Sequence, residues 1–76
     1  MNYRTVFYVW CATVEENQNG IHHKSEPCFT ETEAQRVANL LWQSNDFVSI
    51  DKVKEVYEHY EWRQLDGVET ELVEVK

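Results

Sequence analysis

From Tyr3 to Val14 the chain alternates, with Val6, Tyr8, Trp10, Ala12 and Val14 on one side. A period of two is that of a strand with one buried face, so this set is expected to face the core. Asn19-Gly20 then gives a two-residue hairpin signal, because both residues tolerate positive φ. A second strand is expected over about 21–29. Counting outward from a turn at Asn19-Gly20 puts Val14 opposite Ser25, Ala12 opposite Pro27, Cys11 opposite Cys28 and Trp10 opposite Phe29. Phe29 thereby joins the apolar face, which favours this register. Cys11 and Cys28 would meet at a separation of about 4.5 Å between Cα atoms, within reach of a disulfide.

Thr30-Glu31-Thr32-Glu33 has the form of a capping box, and it opens a stretch with helical spacing: Ala34, Val37, Ala38, Leu41 and Trp42. The helix is expected to run to about Ser44. Residues 47–65 fit either a helix face, through Val53, Val56, Tyr57 and Tyr60, or one or two strands; the second hairpin signal at Asp66-Gly67 favours strands. That turn would pair Leu65 with Val68, Trp62 with Glu71 and Tyr60 with Val73. The resulting expectation is a single domain over 1–76 of the α+β class, ββαββ, one antiparallel sheet with a single helix packed on one face. Trp10, Val14, Phe29, Val37 and Leu41 are its expected core. Thr5, Phe7, Val9 and Cys11 would fall on the uncovered face, where Phe7 and Val9 form an exposed apolar patch.

Composition narrows the function. The chain has 14 Asp and Glu against 7 Lys and Arg, a formal net charge of −7. Phosphate backbones and anionic membranes would repel it, so neither direct nucleic-acid binding nor membrane binding is expected. A basic protein surface would attract it; the plain alternative is that the charge only maintains solubility. No apolar run reaches the about 20 residues of a membrane span, and two cysteines are too few to argue for secretion, so a cytoplasmic setting in a host cell is expected.

No residues call for catalysis. His22 and His23 are neighbours that would point to opposite faces of a strand, and His59 is distant, so no metal site is expected. Cys11 and Cys28 have no base placed beside them. With two glycines in the chain there is no phosphate loop, and no cofactor is expected. The acids are uneven: residues 46–76 hold nine against four bases, residues 1–45 five against three. Glu55, Glu58, Glu61, Glu69, Glu71 and Glu74, with Tyr57 and Tyr60 as anchors, are therefore the candidate surface for a basic protein.

The order of an aromatic strand, an Asn/Gly hairpin, Phe29-Thr30-Glu31-Thr32-Glu33-Ala34 opening a helix, and a strand with Val53 and Val56 resembles small acidic phage-encoded proteins, among them inhibitors of host RNA polymerase. The resemblance covers roughly residues 6–57 and is one of pattern; the segment 58–76 departs from it. It implies a non-enzymatic protein that binds and inhibits a host or defence protein acting on nucleic acid, by presenting an acidic surface to a basic groove. The competing expectation is an assembly module that homodimerises through Phe7 and Val9 on the open face.

Overall fold

The computed structural model describes residues 2–76. It is a mixed α+β fold: a curled antiparallel sheet with one main helix on one face. The elements in chain order are β1 (Asn2–Ala12), α1 (Val14–Gln18), β2 (His23–Lys24), α2 (Glu31–Leu41), β3 (Phe47–Glu58), β4 (Glu61–Gln64) and β5 (Glu71–Val73). The backbone of the sheet is one long antiparallel pair, β1 with β3, in register from Asn2 opposite Tyr57 to Ala12 opposite Phe47. β2 lies on the outer edge of β1, while β4 and β5 share the other edge of β3. Residues 47–65 are thus strand, turn and strand.

The expected Asn19-Gly20 hairpin does not form. Thr13 caps a short helix instead, its hydroxyl accepting from the Glu16 N–H while the Glu16 carboxylate accepts from the Thr13 N–H. Asn19 and Gly20 close that helix. Gly20, at φ 73°, donates to the Asn17 carbonyl and Ile21 donates to the Glu16 carbonyl, the paired bonds of a glycine-terminated helix end. The inserted turn shifts the register, so that Cys11 faces His23 and Cys28 bridges to Phe7. The two cysteines lie four positions apart along β1, about 13 Å at strand rise, and both are free thiols. Burial pushes both thiols above their ordinary range, which disfavours the nucleophilic thiolate.

The expected hairpin at Asp66-Gly67 is also displaced. The reversal occurs at His59-Tyr60, pairing Glu58 with Glu61 and Tyr57 with Trp62. Asp66-Gly67 lies in a loop that interrupts a single edge between β4 and β5. After it, the chain resumes along β3 with Leu72 opposite Asp51 and Val73 opposite Ile50.

The faces of β1 are the reverse of the expectation. Phe7 and Val9, expected on the open face, are 9% and 0% exposed and form the core with Cys28, Ala34, Ala38 and Ile50. α2 lies on this face. Ala34 and Ala38, one turn apart and fully buried, let the helix axis come close to the sheet. Val37 and Leu41 pack at the margin of the core as expected. Val14 and Phe29, expected inside, are 47% and 58% exposed, and Trp10 is only half-buried. Thr30 caps α2 by accepting from the Glu33 N–H, but the Glu33 carboxylate reaches one residue further back, to the N–H of Phe29.

The C-terminal strand is fastened to α2. The Gln35 amide donates to the Glu74 carbonyl at 2.7 Å and accepts from the Lys76 N–H at 2.9 Å, so one side chain holds two backbone groups. Val73 and Val75 then pack against the core.

Candidate functional site

Two surfaces emerge from this arrangement: the tip of the β3–β4 hairpin with its acidic rim, and the sheet face that α2 leaves uncovered.

At the tip, His59 and Tyr60 both have positive φ, 54° and 65°. These are the two central positions of a reversal that normally favours Asn and Gly, since a Cβ in the left-handed region costs roughly 1–2 kcal/mol per residue. Tyr60 is 96% exposed, so no packing of its own ring offsets that cost. Directly below, Tyr57 and Trp62 face one another across the strands, their ring centroids 5.2 Å apart and tilted by 58°. Glu58 and Glu61 are opposite each other, a like-charge pair that would weaken the hairpin. Arg63 answers it by binding the Glu58 carboxylate through its guanidinium and approaching Asp66 at 3.9 Å. Glu61 has no ion pair among the described residues.

The remaining candidate acids divide. Glu71 approaches Lys52 at 3.8 Å. Glu69 and Glu74 have exposed side chains and no ion pair among the described residues. Glu55 is not available to a partner: it is 5% exposed. Both its oxygens are engaged, one accepting from Arg4 Nε at 2.8 Å and the other from the Tyr8 hydroxyl at 2.7 Å. Glu55 therefore belongs to an internal network and is not part of an exposed acidic surface, contrary to expectation. Tyr57, half turned into the stack with Trp62, faces the open side with Glu55; Glu58, Glu61 and Glu71 lie on the helix side of the sheet. Strand alternation makes that division.

The uncovered face is built from Arg4, Val6, Tyr8, Trp10 and Ala12 of β1 and their partners on β3. The guanidinium of Arg4 sits 4.3 Å from the ring centre of Trp62 and 5.5 Å from that of Phe29. Lys24 Nζ lies 4.5 Å from the ring centre of Tyr8 and 5.8 Å from that of Trp10. Cations over aromatic faces gain electrostatic attraction while shielding apolar surface with their stems. Val6 and Val53, which share this face, are 0% and 7% exposed although no helix lies over them. Desolvation, and then the hydrogen bond to the Glu55 carboxylate, push the Tyr8 hydroxyl above its ordinary value. Tyr8 is thus a neutral donor that holds Glu55 in place.

A groove of about 270 Å³ crosses this face between Tyr8, Trp10 and Lys24 on one side and Trp62 and Gln64 on the other, with Asp51 and Val53 in its floor. At the Phe47 end lies an apolar depression of about 240 Å³ between Trp10, Trp42 and Phe47. Sequence reasoning missed this surface because Trp10 and Phe29 were assigned to the interior. The chemistry of Tyr8 and Trp10 carried the clue, since Tyr and Trp suit a half-wet position where the polar edge meets water; Phe29 gives no such signal.

Among the described residues no group of three or more His, Cys, Asp or Glu is arranged to hold a metal ion. No helix is long and apolar enough to cross a membrane. No protein-family model matches the chain, and no curated protein and no solved structure is significantly similar to it.

Proposed function

We propose that this chain is a non-enzymatic binding protein of phage or mobile-element type, working in the cytoplasm of a host cell. Its β3–β4 hairpin tip and acidic rim dock on the basic surface of a host or defence protein that acts on nucleic acid, and block it by occupying the place of the phosphate backbone. The observation that carries this reading is Tyr60: a tyrosine 96% exposed, in a left-handed backbone conformation that glycine would adopt without strain. Strained residues at exposed tips are a mark of binding sites, because stability alone would select another residue there. Glu61 beside it has no ion pair among the described residues, and with Glu69 further along the rim it supplies a negative field that steers a basic partner.

The test uses the immobilised full-length chain in host lysate. A nucleic-acid-acting protein is expected to be retained, to be displaced by added DNA, and to be lost both with Tyr60→Gly and with Glu61→Lys combined with Glu69→Lys. Tyr60→Gly is expected to raise thermal stability at the same time, which separates lost binding from lost folding. Retention that is indifferent to salt, to DNA and to all three substitutions would sink the reading.

A further inference from the structure

The uncovered sheet face has a feature that the acidic rim does not share: it is electrically balanced. In a chain of net charge −7, Arg4 and Lys24 on this face are matched by Asp51 and Glu55. Arg4 and Glu55 are spent on each other. Lys24 and Asp51 line the same groove, and neither has an ion pair among the described residues. Among the described residues the face is therefore left with one cation, stacked over rings, and one anion that have no ion pair, set among exposed aromatic and apolar side chains. Phe29 is 58% exposed, Phe47 47% and Leu72 77%.

We propose that a second copy of this chain packs on the open face through a two-fold axis, with Lys24 of each protomer meeting Asp51 of the other. In such an interface, if residue i touches residue j, then j touches i, so a surface that serves both protomers must complement itself. One unpaired charge of each sign on an otherwise neutral aromatic face meets that requirement. A basic partner would find its attraction elsewhere, at the β4–β5 rim. β1 and β3 carry the face for 11 and 12 residues, while β2, β4 and β5 add two, four and three; at the usual strand rise and spacing this gives roughly 500 Å². That is below the about 800 Å² per partner of a standard interface; Trp42 and Leu72 at the margins extend it, and the pair is accordingly of the small, concentration-dependent class. The apolar depression between Trp10, Trp42 and Phe47 supplies a socket for a ring of the opposite copy, the kind of desolvated anchor that concentrates binding energy.

This surface is separate from the hairpin tip, so the oligomeric state and partner capture can fail independently. Sedimentation equilibrium over a dilution series is expected to give twice the 9.1 kDa chain mass for the native protein. Lys24→Asp alone places two acids against each other in the pair, and Asp51→Lys alone places two lysines; each is expected to sediment as a monomer with an unchanged far-UV spectrum. Mixing the two variants restores both attractions, and a heterodimer is expected to re-form. A native protein that stays at the chain mass throughout the series overturns the proposal. So does a dimer untouched by either substitution, or a mixture of the two variants that remains monomeric.

Discussion

The two faces of the same sheet are built on different principles. Under α2, Phe7, Val9 and Ile50 meet Ala34 and Ala38, and the face is held by close packing of apolar groups. On the other side no helix is present, yet Val6 is as fully buried as Val9. There the work falls to long amphipathic side chains: Arg4 reaching Phe29 and Trp62, Lys24 over Tyr8, and a carboxylate held by two donors. The lesson is that a sheet face with no helix over it can shield a second apolar row with the stems and planes of charged and aromatic residues. The helix side is dry and fixed. The open side is sheltered while remaining wettable.

The sharpest way to break this contrast is to cut into each face in turn. Ile50→Ala removes a fully buried side chain from the dry face and is expected to cost about 3–4 kcal/mol, as large-to-small core changes do. That is a large share of the stability of a small domain, and it is read by urea unfolding. Glu55→Gln on the open face retains shape but leaves the Arg4 guanidinium without its counter-charge. Arg4 keeps partial access to water, its side chain 22% exposed, so the expected loss is about 2 kcal/mol rather than the full cost of a broken buried pair. If Glu55→Gln cost as much as Ile50→Ala, the open face would be as dry as the helix face. Lys24→Ala is expected to cost least, about 0.5 kcal/mol, the usual worth of an exposed cation over a ring. A loss several times greater in the same unfolding experiment would mean that Lys24 seals the face rather than decorating it.

Parts of this architecture were legible in the sequence. Thr30-Glu31-Thr32-Glu33 marked the start of α2, and the alternation of 3–14 marked β1. The orientation of β1 was not legible, because both of its faces are apolar. Val6, Tyr8, Trp10 and Ala12 alternate as cleanly as Phe7, Val9 and Cys11, and periodicity alone cannot say which row meets the helix. The choice follows from side-chain chemistry: the row with phenolic and indole groups stays where water can reach them. The β1–β2 register failed because Thr13 and Glu16 form a cap that competes with the Asn19-Gly20 turn signal, and the cap recruits Asn19-Gly20 as a helix end. The hairpin tip escaped for the opposite reason. His59-Tyr60 carries no turn signal, and its conformation is imposed by the pairing of β3 with β4. Glu55 was assigned to the surface as one of several glutamates in an acidic stretch; its burial depends on Arg4 and Tyr8, far away in sequence.

The long β1–β3 pair also governs the order in which the protein can assemble. Its nearest pairing, Ala12 with Phe47, spans 35 residues, and its farthest, Asn2 with Tyr57, spans 55. At synthesis rates of about 5–20 residues per second, roughly 2–7 s separate the completion of β1 from the arrival of the first residue of β3. During that interval an eleven-residue strand, apolar on both faces, has only the two residues of β2 and the neighbouring bridge at Cys28 to pair with. The β3–β4 pairing, by contrast, is local in sequence. Folding therefore waits on the long-range encounter of the first strand with β3, the slow regime for small domains. The newborn chain, rather than the finished one, is the form most exposed to aggregation.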